Sequence, residues 1–346
     1  MYQPIFSISN KILNSIVEFE KTNQEISSIA LSANDENDVI SNTKTLNLFH
    51  VAHILGVELS LKDAQKAAQG NKISTEDARG TILNNFRNLH EFIRSKNDNF
   101  IQVDLNLLLH FNKILLSDWQ DNWNVKFRAT IEDRDPFLDN WTSLVDNSVE
   151  PLRLQNEILS LLDWYRNSVD IYPLIKLSSL VYRLIRLAPY AFLNKLTIIS
   201  LTEYLFAKID YENIKFLPFA RIFDLSSEQL IQAIYQVRDN SENQTAFIEQ
   251  FLQNLLFNIQ DSRARLKRNL NSQKKNVSKP FLDLNKRQLK ILRYLQTIPT
   301  VRREDYVQMM DVSPMTSFRD LNGLVEKKLL KVDGKGRSTR YILFNR

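Results

Sequence analysis

The sequence predicts a mainly α-helical protein, a helical bundle that ends in a small domain of different character. Only six glycines and nine prolines interrupt 346 residues. Apolar residues recur at the three- and four-residue spacing of a helix face along most of the chain. This length allows a large core and two or three domains. The absence of cysteine excludes disulfides and thiolate metal sites.

The charge is divided unevenly along the chain. From Arg263 onward there are 21 Lys and Arg against seven Asp and Glu, a balance of +14, and because the whole chain carries +5, residues 1–262 carry −9. An acidic body cannot attract a polyanion over its whole surface, whereas a small basic domain can contact phosphates. The two parts are therefore predicted to have different partners.

Residues 1–95 are predicted to form an N-terminal helical region. Ile5–Thr22 has amphipathic spacing, and the stretch SANDENDVISN around residue 35 predicts an acidic polar loop. Gly70 is predicted to end a short helix, and Ser74 with Asp77 resembles a capping box at the start of the next one. The predicted helices that follow the first are 43–55, 61–69 and 74–94.

Residues 96–270 are predicted to form a helical core. Pro151 and Pro173 are expected at first helical positions, where the missing amide hydrogen is tolerated. The stretch NLNSQKKNVSKP lacks apolar periodicity, so residues 271–280 are predicted to be a linker. The predicted helices of the core are 103–117, 151–166, 173–187, 195–208, 226–238 and 243–270.

The pattern changes in residues 281–346. LDLNKRQLKILRYLQ and RREDYVQMMD each predict a helix, and Ser313–Pro314 predicts the cap and start of a third. LLKVDGKGRSTRYILF alternates as two strands around the turn Gly334–Gly336. Three helices and a basic hairpin are typical of a winged helix-turn-helix. The side chains predicted to point inward from the third helix are those of Met315, Phe318, Leu321, Leu324 and Val325.

The third helix and the hairpin are predicted to contact DNA. Thr316, Ser317 and Arg319 are expected on the outer face of the helix, with Arg319 meeting base edges or phosphate. The hairpin cations are expected along the phosphate backbone, where they would make binding depend on salt. These cations are Lys335, Arg337 and Arg340. A winged helix that serves only for dimerisation or protein docking stays open as the alternative.

Several kinds of catalytic and metal site are not supported by the spacing of the chain. No glycine lies between Gly80 and Gly323, which excludes a glycine-rich phosphate loop from the helical core. His50 and His53 are three residues apart, but no third ligand is evident, so we expect no metal site. No arrangement of serine, histidine and aspartate is favoured. All four histidines precede residue 111, namely His50, His53, His90 and His110.

The body resembles the Fic family of adenylyltransferases. The segment LLLHFNKILLSDWQDNWNVKFRATIEDRD resembles a family helix and the "G-x-F-R" segment that follows it, with Phe127 and Arg128 retained. Residues 157–190 resemble the helix pair that enters the active-site loop, and residues 203–211 and 247–266 fit later parts. The basic end is similar to the winged helix of many long members. The resemblance therefore covers residues 5–346 in order.

The resemblance implies a catalytic signature, H-P-F-x-[DE]-G-N-G-R-x-x-R, in the loop after residue 187. The family's histidine is a general base, its acid holds magnesium, and its glycines, asparagine and helix start hold phosphate. In this chain Pro189, the aromatic Tyr190 and Asn194 match that signature. The positions that do not match, in order, are Ala188, Phe192, Leu193, Lys195, Leu196 and Ile199.

These replacements predict the loss of the family's chemistry. Alanine cannot accept a proton, and losing a positioned base costs about 10²- to 10⁴-fold in rate. Phenylalanine cannot bind magnesium, and a leucine side chain intrudes where backbone must approach phosphate. We therefore expect Asn194 to cap the next helix, Pro189 and Tyr190 to pack in the turn, and Lys195 to be a solvated charge that could attract an anion.

A family control element is altered as well. The resemblance places the inhibitory motif, [ST]-x-x-x-E-G-N, in VAHILGVELSLKDAQ, with Leu55 at the glutamate, then Gly56, and Val57 at the asparagine. In the family this glutamate pairs with the loop's second arginine, and that position is Ile199 here. Both positions are apolar in this chain, so no buried charge is left there without its partner.

The sequence thus predicts a catalytically degenerate Fic-type protein that acts as a DNA-binding or regulatory interaction module. No cofactor is expected; the expected partners are DNA and a protein or a second copy. The longest apolar segments carry cations and no leader is evident, so no membrane contact and a cytoplasmic location are expected. A purely structural partner in a larger assembly is one alternative. The other is a divergent nucleotidyltransferase that uses other residues near the loop, for instance Asp170, Arg183 or Arg186.

Overall fold

The chain divides between Lys267 and Arg268 into two compact units, of which the first is called the body. The structure is a computed structural model without ligands. The residues that it describes are 2–94, 103–119, 127–130, 135–137, 139–209, 211–224, 227–281, 284–298, 300–334, 336 and 339–344.

The body is built from helices joined by short connections. Short 3₁₀ helices lie at Asp139–Leu144 and Glu212–Phe216. The α-helices are α1 Asn10–Ser27, α2 Ala33–Ile54, α3 Leu61–Ala68, α4 Arg79–Arg94, α5 Leu105–Leu116, α6 Pro151–Asn167, α7 Pro173–Leu187, α8 Asn194–Lys208, α9 Ala220–Asp224, α10 Ser227–Asp239 and α11 Thr245–Phe281.

The acidic stretch around residue 35 is helical, which corrects the predicted loop. The Ser32 hydroxyl accepts a hydrogen bond from the Asp35 amide, so Ser32 caps α2. Asp35 and Glu36 then lie in the first turn, where negative charge is favoured by the helix dipole. The predicted short helix 43–55 is the second half of α2. A run of acidic residues therefore marked a helix start here.

Two further predictions in the amino-terminal region shift by a few residues. α1 begins at Asn10, after the Ser9 cap, instead of at Ile5. α4 begins at Arg79, and the Thr75 hydroxyl accepts the Gly80 amide at 2.7 Å in place of the predicted Ser74 cap. By contrast, the helices predicted to begin at Pro151 and Pro173 are confirmed with proline at their first positions.

Helices α7 and α8 form the centre of the body. Every residue of α8 from Asn194 to Phe206 is buried, and α7 is buried along most of its length. The two helices pack against each other, and α4 and α5 also pack against α8. A helix that is buried on all sides leaves little freedom for the loop that precedes it. The loop between Leu187 and Asn194 is consequently held from both ends by the core.

A buried carboxylate ties α8 to α4. Glu203 is fully buried; its carboxylate accepts a hydrogen bond from Arg94 Nε at 2.6 Å and lies 2.8 Å from His90 Nδ1. Burial alone would raise the pKa of Glu203, but His90 and Arg94 outweigh it and lower the pKa. Arg94 also donates to the carbonyls of Lys215 and Leu217. This cluster fixes three parts of the body to one another.

The second unit is a three-helix domain with a two-stranded sheet. Its elements are α12 Lys286–Thr297, α13 Arg303–Met310, α14 Pro314–Glu326, β1 Leu330–Asp333 and β2 Arg340–Leu343. The strands are antiparallel, with Leu330 opposite Leu343 and Asp333 opposite Arg340. Val301 adds a bridge to Tyr341. The predicted winged helix-turn-helix is confirmed.

The segment predicted to be a linker is helical in the structure. α11 runs from Thr245 to Phe281 and so includes residues 271–280, although these residues have no apolar periodicity. Backbone hydrogen bonds within a helix do not require an apolar face, and the segment is rich in lysine, asparagine and serine. The absence of periodicity therefore did not indicate an irregular chain.

We predict that Glu203→Gln lowers the free energy of unfolding by about 3–5 kcal/mol, because it leaves the Arg94 charge buried without its partner. Glu91→Gln is the matched control: Glu91 lies on α4, the helix that Glu203 contacts, but its pair with Lys44 is partly exposed, so its loss should cost less than about 1 kcal/mol. Urea denaturation followed by circular dichroism compares the two variants. Equal stabilities of the two variants would contradict the assigned role of Glu203.

Candidate functional site: the loop between α7 and α8 and the outer face of α14

The loop turns through two residues in the left-handed region. Ala188 has φ of 37° and ends α7, and Leu193 has φ of 61° just before α8. Leu193 stands where the Fic signature has a glycine, and glycine adopts this backbone conformation without strain. A leucine here costs about 1–2 kcal/mol, which the surrounding core must offset. Its side chain is fully buried.

A short extended segment is paired with the loop. Phe127 and Tyr190 form an isolated antiparallel bridge, and the Arg128 amide donates to the Pro189 carbonyl at 2.8 Å. The rings of Phe127 and Tyr190 lie 5.7 Å apart. These contacts bring together the two motifs that carry the family resemblance. The predicted packing role of Pro189 and Tyr190 agrees with this position, since Tyr190 is buried.

Asn194 has a different place from the one predicted. It is the first residue of α8 instead of the cap, which is Leu193. Its side chain closes the loop, because Oδ1 accepts the Tyr190 amide at 2.9 Å and Nδ2 donates to the Tyr190 carbonyl at 2.7 Å. The predicted capping role is therefore wrong, since a residue inside the helix cannot cap it.

Asp135 supplies the anion at the start of α8. Its Oδ2 accepts the Asn194 amide at 2.7 Å and the Asn194 Nδ2 at 3.0 Å, and its Oδ1 accepts the Phe137 amide at 3.0 Å. The Leu193 amide contributes as well. A carboxylate in this position satisfies amides that lack a partner within the helix and lies at the positive end of the helix dipole.

Burial sets the pKa of this carboxyl. Asp135 is buried, and the loss of water raises the pKa of Asp135, although hydrogen bonds from Asn194, Phe137 and Leu193 partly oppose the rise. Asp135 was not among the residues predicted from the sequence. It closes the charged run IEDRD, and nothing in the residue spacing separates it from its acidic neighbours.

Lys195 is buried, which corrects the predicted solvated charge. Its side chain is 7% exposed, and its ammonium lies 5.6 Å from the centre of the Trp141 ring. α8 is surrounded by other elements, so its first turn has no solvated face. A lysine near a helix start is usually solvated; here the position of α8 in the core overrides that tendency.

The remaining non-matching positions of the loop carry apolar side chains within the body. Phe192 is half-buried, and its ring contacts Trp119 with centres 5.4 Å apart. Its carbonyl accepts a hydrogen bond from Asn112 at 2.9 Å. Leu196 and Ile199 are fully buried in the main hydrophobic core.

The segment that resembles the inhibitory motif ends α2. Leu55 is buried at the C-cap position, Gly56 has φ of 67°, and the Val57 amide donates to the Ala52 carbonyl at 2.8 Å. This is a common way to end a helix with glycine in the left-handed conformation. Leu55 and Ile199 belong to the same hydrophobic core, in agreement with two apolar partners.

The residues named for a divergent transferase do not gather at the loop. Arg183 donates to Glu157 at 2.8 Å, and Arg186 donates to the Leu144 carbonyl at 2.6 Å and lies near Glu242. Asp170 is exposed before α7, while the loop follows α7, a helix about 22 Å long. The expectation that Asp170 lies near the loop is wrong.

His50 and His53 share a carboxylate. The Nδ1 atoms of His50 and His53 lie 2.7 and 2.5 Å from the two oxygens of Asp224. Within the described part of the chain, no group of three or more His, Asp or Glu side chains is arranged to hold a metal ion. The absence of a metal site stays a prediction.

The outer face of α14 differs from the predicted one. Ser317 is fully buried, and its hydroxyl donates to the Arg303 carbonyl at 3.3 Å, so its predicted outward position is wrong. Met315 is 68% exposed and Phe318 is 41% exposed, so their predicted inward positions are wrong. Leu321 and Leu324 are buried as predicted. The rule that large apolar residues face the core therefore fails for Met315 and Phe318, which lie in the first turn and a half of α14.

A buried carboxylate sets this orientation. Asp320 accepts hydrogen bonds from Asn285 Nδ2 and Arg287 Nε at 2.8 Å each and from the Tyr306 hydroxyl at 3.0 Å. Burial alone would raise the pKa of Asp320, but these hydrogen bonds outweigh burial and lower the pKa. Because Asp320 and Ser317 are on one face, Met315 and Phe318 turn outward.

The other residues predicted to contact DNA are placed as follows. Arg319 and Arg340 are exposed, and Thr316 is half-buried. The Thr316 amide donates to the Ser313 hydroxyl at 3.2 Å, which caps α14 as predicted. Lys335 and Arg337 lie outside the described residues.

Comparisons with known proteins identify the class of each part. A sequence model of the DeoR-like helix-turn-helix domain matches residues 287–335. Among solved structures, the chain is similar to a Fic family protein from Desulfovibrio desulfuricans G20, with a TM-score of 0.60 and 16% identity over 100% of this chain and 99% of that one. It is also similar to a Fic domain containing signaling protein from Bacteroides thetaiotaomicron VPI-5482, with a TM-score of 0.54 and 15% identity over 76% of this chain and 98% of that one.

The chain therefore has the helical fold of Fic family proteins and carries a DeoR-like helix-turn-helix near its carboxyl end. At this level of identity the likeness is one of fold. A search of curated proteins finds no match. Among the described helices, none is long and apolar enough to span a bilayer. The predicted fold class is confirmed.

We predict that Asp135→Ala lowers the free energy of unfolding by about 1–3 kcal/mol, because buried amides at the start of α8 lose their acceptor. The effect should depend on pH. The folded pKa of Asp135 is raised above the unfolded value of about 3.9, so its contribution is fully present below that value. The contribution falls as pH rises through the folded pKa.

Urea denaturation of the natural protein and of Asp135→Ala at several pH values from 4 to 8 measures this pH dependence. The stability difference between the natural protein and Asp135→Ala should shrink as pH rises. Asp170→Ala is the control, because Asp170 is exposed and its removal should change stability little. A difference that grows with pH would contradict the assignment.

Proposed function

We propose that this chain is a catalytically degenerate protein of Fic fold that works as a DNA-binding regulator. The winged helix contacts DNA, and the helical body contacts a protein partner or a second copy of the chain. The cytoplasmic location that suits this role stays a prediction.

One observation carries the proposal of catalytic degeneracy. The Asp135 carboxylate of the chain itself accepts the hydrogen bond from the Asn194 amide at the start of α8. The family resemblance places the phosphate cradle at this helix start. An incoming triphosphate would meet a carboxylate within hydrogen-bond distance of the same amides, and like charges at that distance repel. The chain has satisfied internally the groups that an active member would use for its nucleotide.

The other replacements around the loop support the same proposal. Ala188 offers no proton acceptor at the position of the general base. Phe192 offers no oxygen ligand for magnesium, and it packs against Trp119. Leu196 and Ile199 are buried hydrocarbon where the signature has arginines. Arg183 and Arg186, which were named as examples for a divergent transferase, form ion pairs with Glu157 and Glu242.

The DNA-binding part of the proposal is supported by charge and by the domain. The match to a DeoR-like helix-turn-helix covers α12, α13, α14 and β1. The exposed cations Arg302 and Arg303 lie at the start of α13, and Arg319 and Arg340 lie on α14 and β2. In helix-turn-helix domains the first helix of the motif crosses the phosphate backbone and the second enters the major groove. Cations on both helices suit such contact.

We predict that the full-length chain transfers no nucleotide. Incubation with labelled ATP, UTP, CTP or GTP and magnesium or manganese should label neither the chain nor proteins of a native extract above background. Ala188→His should also be inactive, because it restores the base without the phosphate cradle. Isothermal titration should detect no binding of ATP with magnesium. Labelled protein in the natural chain would refute catalytic degeneracy and favour the divergent transferase.

We predict that the chain binds duplex DNA with strong salt dependence. The double variant Arg319→Ala, Arg340→Ala should bind more weakly and should reduce the salt slope by about 1 for each phosphate that is no longer neutralised. Arg153→Ala, which removes an exposed arginine of the body, is the matched control and should bind as the natural chain does. Fluorescence anisotropy at several salt concentrations measures both. No binding at low salt would exclude the DNA-binding role.

A further inference from the structure

The outer face of α14 is apolar in its first turns. Met315, Phe318, Arg319 and Asn322 are spaced at i, i+3, i+4 and i+7, so they share one face of the helix. Met315 is 68% exposed and Phe318 is 41% exposed. The opposite face holds Ser317, Asp320, Leu321 and Leu324, all buried. Two large apolar side chains are thus solvent-exposed on the face that a recognition helix turns toward DNA.

The structure holds these two side chains outward. Asp320 is fixed by hydrogen bonds from Asn285, Arg287 and Tyr306, so α14 cannot rotate to bury Met315 without breaking them. The Arg303 guanidinium lies over the Phe318 ring, with its Cζ atom 5.0 Å from the centre of the ring. This contact restrains Phe318, while Met315, in the first turn, is the more exposed of the two.

The DNA major groove offers one chemical group that such apolar side chains can contact favourably. Phosphates require cations, and the donors and acceptors of base edges require polar groups. The apolar group that the major groove presents is the C5 methyl of thymine. The residues at the start of a recognition helix are those that contact base edges. Met315 and Phe318 have the position and the chemistry to contact thymine methyl groups.

We propose that Met315 and Phe318 read thymine methyl groups in the major groove, so that the preferred site of this protein has thymines opposite the first turns of α14. Arg319 and Asn322 follow on the same face, and their side chains suit guanine and adenine edges. This inference rests on the proposed DNA-binding function and deepens it.

The test begins with a duplex that the protein itself selects. The full-length chain is used to enrich binding sequences from a random duplex library, and an enriched duplex is synthesised with thymine or with deoxyuridine at each thymine position. Deoxyuridine keeps the base pair and removes only the methyl group. Removal of one buried methyl group should weaken binding about fourfold, and removal of two should weaken it more than tenfold.

Variants identify the side chain responsible. Met315→Ala should weaken binding to the thymine duplex and should bind the deoxyuridine duplex about as well as the natural chain does, so discrimination falls toward one. Ile298→Ala is the matched control: Ile298 is also exposed and apolar but lies outside α14, and it should keep full discrimination. Thermal melting checks that each variant is folded.

The outcomes separate the two proposals. Binding that is equal for thymine and deoxyuridine, or weakened equally for both by Met315→Ala, overturns methyl readout and leaves DNA binding in place. A change of oligomeric state in Met315→Ala, with discrimination unchanged, overturns methyl readout and assigns the face to protein contact. Failure of the natural chain to bind any duplex removes the DNA-binding function and this inference with it.

Discussion

The amide groups at the start of a buried helix must be satisfied, and in this protein that requirement organises the centre of the body. α8 is enclosed on all sides, so its first amides have no access to water. Asp135 accepts the hydrogen bond from the first of them, the Asn194 amide, and the Asn194 side chain closes the loop on Tyr190. The left-handed backbone at Leu193 and the burial of Lys195 are consequences of placing this helix start deep in the core.

Three buried carboxylates perform the same structural task in different places. Glu203 joins α8 to α4, Asp135 joins the loop region to α8, and Asp320 joins α14 to the helices before it. Each accepts hydrogen bonds from more than one part of the chain, which makes a single arrangement of the helices favourable. Such fully bonded polar clusters inside an apolar core specify orientation as well as stability.

The two units differ in what they offer to a partner. In the body, the loop between α7 and α8 is closed by side chains of the chain itself. In the second unit, α14 keeps an exposed face with apolar and cationic side chains. The proposed DNA-binding function therefore places sequence specificity in the exposed face of one short helix.

Much of the fold was predictable because local signals agreed with the tertiary structure. Proline at the first position placed α6 and α7 correctly, and alternating residues around Gly334 predicted the wing. The acidic start of α2 was misassigned, since clustered carboxylates suit both a solvated loop and the first turn of a helix.

The sequence by itself determined the helical class, the two-part division of charge and the replacements in the loop signature, because composition, periodicity and residue identity are local properties. Only the tertiary structure decided that Asp135 lies at the start of α8, that Lys195 is buried and that Met315 faces outward. Those outcomes depend on which distant groups meet in the folded chain. A carboxylate in a charged loop or a methionine in an amphipathic helix carries no local mark of its partner.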